Sequence, residues 1–175
     1  MKSSAAASRA VPSERRFFRL LGIIAAAAVA LRLGTAWELG SVNGGWNSVF
    51  HPSAATDLAT YMRLGAEVAE GRFRGVFYYQ PFYYAVFLPL IRLFAGASVW
   101  AVIAAQALLG GATAYLAGLC GRRFGGAAGG LLAAGLTAVS TPLLLYAPFH
   151  QNETLQAFLL TLLFFLTLRM WERAP

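Results

Sequence analysis

Two neighbouring apolar stretches decide the fold of this chain: residues 98–120, SVWAVIAAQALLGGATAYLAGLC, and residues 126–147, GAAGGLLAAGLTAVSTPLLLYA. Neither contains Asp, Glu, Lys or Arg. Each is about as long as the roughly 20 residues that a helix needs to cross the hydrocarbon of a bilayer. Since backbone amides in lipid must bond within their own helix, both stretches are predicted to be membrane-spanning helices.

Residues 17–37 and 154–170 are two further predicted spans. A fifth stretch, residues 81–96, is shorter and is interrupted by Pro89 and Arg92, which favours an interfacial or half-inserted helix. The whole chain is 58% hydrophobic and 12% charged, with a mean hydropathy of +0.60. A soluble domain of this length could not bury so much apolar surface in one core. We therefore predict an all-α polytopic membrane protein with four transmembrane helices.

Small residues recur at four-residue intervals in both central spans. They are Gly110, Ala114 and Gly118 in the first, and Gly126, Gly130 and Ala134 in the second. This spacing lets helix backbones approach closely. We expect these two spans to pack against each other or against another helix.

Basic residues lie at the ends of the apolar stretches, with 14 Lys and Arg in the chain against 7 Asp and Glu. Because Lys and Arg in short loops stay in the cytoplasm, residues 1–16, 121–125 and 171–175 are predicted inside, and the loops 38–97 and 148–153 outside. No clear cleavage site follows the apolar stretch after the basic leader, which favours an uncleaved anchor over a signal peptide. Because these charges form no single stripe, a nucleic-acid partner is not expected.

The long outer loop carries most of the polar and aromatic side chains. Ser53 or Thr56 can cap a helix over residues 54–70, which Gly71 would end. The stretch 81–96 would form a second juxtamembrane helix.

Asp57 falls in the first turn of the predicted loop helix, where the positive end of the helix dipole attracts a negative charge. Tyr61 follows four residues later on the same face. A carboxylate beside a phenol at a membrane surface suits base chemistry on a lipid-carried substrate. The alternative is an aromatic belt with basic residues that contact lipid headgroups, and spacing alone does not separate the two.

Five short motifs follow one another in order along the chain: Asp57-x-x-x-Tyr61, Gln80-Pro81-x-Tyr83-Tyr84, Phe94-x-x-Ala97-Ser98, Arg122-Arg123-Phe124-Gly125 and Tyr146…Glu153-x-Leu155. This ordered set resembles the first outer loop and the following spans of GT-C membrane glycosyltransferases. The similarity is strongest to the family 39 group, which includes protein O-mannosyltransferases, the lipid A aminoarabinose transferase and many bacterial enzymes. It extends over nearly the whole chain from Phe17 onward.

The resemblance implies transfer of a sugar, with inversion at its anomeric carbon, from a polyprenyl-phosphate carrier to a protein, lipid or glycan acceptor. The reaction would take place on the outer face of a bacterial inner membrane. The family's loop aspartate, which matches Asp57, is the general base. Positive charge for the leaving phosphate would come from Arg32, Arg63, Arg72 or Arg74, and the other substrate-binding candidates are Tyr61, Gln80, Tyr83 and Glu153.

Other interpretations of the same residues stay open. Glu153 is equally well explained as an exposed carboxylate at a helix start. No metal site is predicted and the cofactor is unassigned; a divalent cation held by His150, Glu153 and Asp57 is the alternative to His150 as a polar loop residue.

The length of the chain and its small-residue spans leave a second function open. Members of the resembled family continue through further spans, so we expect the chain to be the N-terminal portion of a longer enzyme or a truncated product. The alternative function is a non-enzymatic membrane component, such as a transporter fragment or an assembly subunit.

Overall fold

A computed structural model describes residues 14–42, 49 and 51–173 of the chain. The predicted leader therefore lies mostly outside the described residues. Every regular element of the described part is helical: α1 (Glu14–Ser41), α2 (Asp57–Ala69), a π-helical turn (Tyr83–Phe87) that continues into α3 (Leu88–Ala95), α4 (Val99–Ala138), α5 (Thr141–Tyr146) and α6 (Glu153–Trp171).

Three of the described helices, α1, α4 and α6, are long and apolar enough to cross a membrane. The all-helical class and the presence of helices of membrane-spanning length thus agree with the sequence prediction. The helix over Tyr83–Ala95 is apolar but shorter.

The longest helix, α4, is broken at Gly125 and Gly126. Gly126 has φ +60° and ψ −158°, a conformation that glycine adopts without a Cβ clash. A Cβ added at Gly118 would lie 3.2 Å from the carbonyl oxygen of Gly130. Residues twelve apart in a straight helix are separated by about 18 Å, so the two halves of α4 fold back on each other.

Small residues line the contact between the halves of α4. A Cβ at Gly121 would lie 2.8 Å from the Gly129 carbonyl oxygen, and one at Gly118 would lie 3.0 Å from the Cβ of Ala134. The predicted packing of the two small-residue stretches against each other is therefore confirmed.

The predicted span over residues 126–147 is not one continuous helix, which corrects that boundary. The second half of α4 ends at Ala138, and α5 begins at Thr141 with Pro142 in its first turn. Proline lacks an N–H and its ring clashes with the carbonyl four residues earlier, so it is tolerated in the first turn of a helix and not in the interior.

A proline also shapes the second juxtamembrane helix. The N–H of Leu88 bonds to the carbonyl of Tyr83, five residues back, so the chain is wound as a π-turn immediately before Pro89. Pro89 has no N–H, so it cannot donate the hydrogen bond that an α-helix makes to the carbonyl four residues earlier. The wider π-turn immediately before it leads into α3.

A hydrophobic cluster fixes the loop helices onto one end of the bundle. Its buried members come from α2, the π-turn, α3, α4 and α6: Tyr61, Leu64, Tyr83, Tyr84, Leu88, Val102 and Leu155. The polar residues beside this cluster are thereby held where the long apolar helices end.

Candidate functional site

Asp57 is the first residue of α2 and its side chain is exposed. Thr56 is the N-cap, and its hydroxyl accepts a hydrogen bond from the N–H of Ala59 at 3.4 Å. Of the two predicted capping residues, Ser53 and Thr56, it is Thr56 that caps the helix. The phenol of Tyr79 donates to Oδ2 of Asp57 at 3.3 Å. The carboxylate is held at a helix start and is open to solvent on its remaining side.

Tyr61 lies one turn after Asp57 and is buried, with 2% of its surface exposed. Its hydroxyl donates to Oε1 of Gln80 at 2.8 Å. Its ring stacks on that of Tyr79, with centroids 6.0 Å apart and planes 6° from parallel. Burial, and after it the nearby Tyr79, Asp57 and Glu153, raise the pKa of Tyr61, so the phenol remains a hydrogen-bond donor.

The residues that contact Asp57 and Tyr61 come from one unusual turn. Tyr79 has φ +43° and Gln80 has φ +56°, although neither is glycine. Two successive side chains in the left-handed region each cost on the order of 1 kcal/mol or more. The bonds from this turn to α2 offset that cost and fix the loop against the helix.

Tyr83 connects the same loop to the spanning helices. Its buried hydroxyl donates to Oε1 of Gln106 in α4 at 2.9 Å. Nε2 of Gln106 in turn donates to the carbonyl oxygens of Ala147 at 2.8 Å and Phe149 at 2.6 Å. The pKa of Tyr83 is raised by burial and then by the negative charge of Glu153. Gln106 was not among the predicted site residues, because a lone glutamine in an apolar span gives no signal of its partners.

Glu153 begins α6, and its Oε2 is buried without a hydrogen-bond partner. Its negative charge contributes to the raised pKa of both Tyr61 and Tyr83, so it lies near both tyrosines. The structure therefore brings together five predicted residues: Asp57, Tyr61, Gln80, Tyr83 and Glu153.

The predicted arginines of the loop mostly have other partners. Arg63 pairs with Glu67 at 2.9 Å, and Arg72 pairs with Glu70. Arg74 is exposed and donates only to backbone carbonyls, at 3.3 and 3.4 Å. Among the loop arginines in the described part of the chain, Arg74 is the one without a carboxylate partner.

Arg32 is fully buried within the helix bundle. Nη1 donates to the carbonyls of Ala28 at 2.9 Å and Ala138 at 3.4 Å, and Nη2 donates to Thr137 at 3.4 Å. Its side chain lies directly on Gly110. Arg32 thus caps the carboxyl end of α4, where its charge meets the negative end of a helix dipole. Its hydrogen bonds all go to α1 and α4 and do not reach Asp57.

His150 is buried, and its Nδ1 has no hydrogen-bond partner. It lines a cavity of about 70 Å³ with residues that include Met62, Leu88, Arg92 and Ser98. Burial lowers the pKa of His150 to about 4, so the ring is neutral at physiological pH. The described residues contain no group of three or more His, Cys, Asp or Glu side chains placed to hold a metal ion, so His150, Glu153 and Asp57 are not assembled around a cation.

An apolar groove of about 340 Å³ runs from the Gln80 turn along α6. Its polar end is formed by Gln80, Asn152 and Gln156. Farther along, Leu155, Leu159 and Leu163 form its wall. The tyrosine site and an elongated apolar surface are thus continuous.

No family model, no curated protein and no solved structure matches this chain.

Proposed function

We propose that this chain is part of an integral-membrane inverting glycosyltransferase that moves a sugar from a polyprenyl-phosphate carrier to an acceptor on the outer face of a bacterial inner membrane. The observation that carries the proposal is the position of Asp57. It is an exposed carboxylate at the polar end of an apolar helix bundle, beside the tyrosines and close to the groove along α6.

The chemistry requires one base and a stable leaving group. Asp57 takes the proton of the acceptor hydroxyl while that oxygen forms a bond to the anomeric carbon. The bond between this carbon and the phosphate oxygen breaks, and its electron pair leaves with the polyprenyl phosphate. Because the phosphate leaves as an anion, no acid partner is required, and nearby positive charge assists the step.

Arg74 is the best candidate for that positive charge. Arg63 and Arg72 are neutralised by glutamates, and Arg32 is enclosed between α1 and α4. Arg74 is exposed and makes only backbone contacts. An arginine guanidinium binds phosphate through two parallel N–H groups. Arg74, which belongs to the long loop, would contact the phosphate of the sugar donor in this way.

The proposal includes a topology of four spans, with the two halves of α4 counted separately and both chain ends inside. It is supported by the break at Gly126 and by the arginines at the ends of the helices. Asp57 would then face outward and the Gly121–Gly125 turn would face the cytoplasm.

Replacement of Asp57 by Asn in the full-length protein tests the chemistry. Loss of a general base lowers the rate by roughly 100-fold or more. The matched control is Glu67→Gln, another carboxylate on α2, which should keep its activity. Transfer would be measured in proteoliposomes with a panel of polyprenyl-phosphate-linked sugars. Activity of Asp57→Asn equal to that of the wild type would remove the proposed base.

Sidedness provides a second test that needs no substrate. Cysteines would be placed at residue 57 or at exposed Phe124 in a Cys120→Ala background, since Cys120 is the only natural cysteine and is buried. An impermeant maleimide added to intact cells should label residue 57 and spare residue 124. The reverse pattern is incompatible with the proposal.

The second candidate function is a non-enzymatic subunit of a membrane assembly. It is favoured by α6, in which only 11% of the residues of the most apolar window are buried within the chain, so this helix offers apolar surface to lipids or to other helices. Outward labelling of residue 57 with no transfer from any donor would favour this function.

A further inference from the structure

The charged side chains of the described residues are divided unequally between the two ends of the bundle. The ion pair of Arg122 with Glu14, at 2.5 Å, joins the break in α4 to the start of α1. The ion pair of Arg123 with Glu172 joins the same break to the end of α6. These pairs bring three distant segments of the chain to one end of the molecule.

Seven arginines lie in these three segments, with only Glu14 and Glu172 to balance them. We call this set the arginine band: Arg15, Arg16, Arg19, Arg122, Arg123, Arg169 and Arg173. Five of its members, Arg15, Arg16, Arg19, Arg169 and Arg173, are exposed and have no carboxylate partner among the residues that the structure describes.

Aromatic contacts hold the centre of the band in place. The guanidinium of Arg122 lies over the rings of Phe17, at 4.6 Å, and Phe18, at 5.4 Å. Phe17 is itself buried against α4. A guanidinium over an aromatic face is attracted by the ring, so these contacts help to hold Arg122 in place.

Exposed aromatic side chains lie among the arginines. Phe18, Phe124 and Trp171 are 43%, 74% and 82% exposed. Aromatic rings at the ends of apolar helices sit at the level of lipid headgroups, and basic residues beside them are in reach of phosphates. The opposite end differs, because there Glu38, Asp57, Glu67, Glu70 and Glu153 accompany four arginines in the described part of the chain.

We propose that the arginine band binds the phosphate groups of anionic phospholipids in the leaflet at its end of the bundle. The planar guanidinium matches a phosphate with two N–H donors, and five unpaired arginines can each contact a separate headgroup. Each basic side chain near an anionic leaflet favours binding by roughly a factor of five. This inference is independent of any sugar transfer.

The test compares full-length protein in nanodiscs of phosphatidylcholine alone and in nanodiscs with equal parts of phosphatidylglycerol. We expect a higher unfolding temperature with phosphatidylglycerol and an enrichment of that lipid among the molecules that remain bound in native mass spectrometry. The double variant Arg15→Gln/Arg16→Gln should lose roughly tenfold or more of the enrichment. Arg169→Gln/Arg173→Gln provides a second variant should the first fail to fold.

The matched control is Arg63→Gln/Arg72→Gln, which removes two exposed arginines that are already paired with glutamates. It should keep the enrichment of the wild type. Equal enrichment in the band variants and the wild type would overturn the inference. So would full stabilisation by inorganic phosphate in phosphatidylcholine discs, which would indicate a site for free phosphate.

Discussion

Tyr79 places its phenol 3.3 Å from Oδ2 of Asp57 while its ring lies parallel to that of Tyr61. The hydroxyl therefore fixes one oxygen of the carboxylate and leaves the other free. The backbone of Tyr79 is in the left-handed region, so this contact is made at a cost in strain.

Replacement of Tyr79 by Phe tests whether this hydroxyl orients the base. The ring still stacks on Tyr61, so we expect KM to change little and kcat to fall by about tenfold, the worth of one hydrogen bond. Steady-state transfer kinetics would measure both constants. Tyr78→Phe is the control, because the side chain of Tyr78 is exposed and only its backbone bonds to Tyr84. Equal kcat values for Tyr79→Phe and the wild type would contradict the role.

Replacement of Arg74 by Gln should weaken use of the sugar donor. The loss of a charged contact to phosphate is expected to lower kcat/KM for the donor by tenfold or more. The matched control is Arg92→Gln, which removes an arginine bonded at 3.4 Å to Glu70. A kcat/KM ratio near one for Arg74→Gln would exclude Arg74 as the phosphate ligand.

Replacement of Gly110 by Ala should destabilise the bundle, because the new methyl group would lie 2.8 Å from Cζ of Arg32. Overpacking of this kind costs about 1–3 kcal/mol. The unfolding temperature in detergent would report it. Gly34→Ala in α1 is the control, since a Cβ there meets no atom within 4 Å.

The same pair permits a double-mutant cycle. In an Arg32→Ala background the clash is absent, so Gly110→Ala should cost clearly less than it does in the wild type. Additive effects of the two substitutions would show that Arg32 does not lie on Gly110.

The burial of His150 predicts a loss of stability in acid. Its folded pKa of about 4 is below the ordinary value of about 6.5, so the unfolded chain binds a proton more readily. The stability is fully present above about pH 6.5 and falls as the pH is lowered toward 4, by up to about 3 kcal/mol.

Unfolding temperatures measured from pH 7 to pH 4 would test this effect. The variant His150→Gln should lose part of the slope. His51→Gln, which removes an exposed histidine, should keep it. An unchanged slope for His150→Gln would mean that the ring is accessible to protons in the folded protein.

Local features of the site were predictable because they depend on residues close in sequence. Thr56 and Asp57 lie at a helix start because a threonine hydroxyl can cap the first turn and a carboxylate is stabilised there by the helix dipole. Tyr61 follows one turn later on the same face. The break between Ala138 and Thr141 was missed, although Pro142 in the first turn of α5 is a local signal for a helix start there.

The remaining relationships depend on distant parts of the chain. The contact of Arg32 with Gly110 joins α1 to α4, and no local pattern indicates that an arginine will find backbone carbonyls there. The left-handed turn at Tyr79 and Gln80 lacks the glycine that usually signals such a conformation. The ion pairs of Arg63 and Arg72, by contrast, are local, because each arginine has its glutamate partner within four residues along the chain.

The break at Gly126 has a consequence for assembly in the membrane. The contacts between the two halves of α4 described above join residues only eight to sixteen positions apart, such as Gly121 with Gly129 and Gly118 with Ala134. Contacts of such short range close quickly, so we expect this helical hairpin to form first during biosynthesis. It would then serve as the template on which α1 and α6 are recruited.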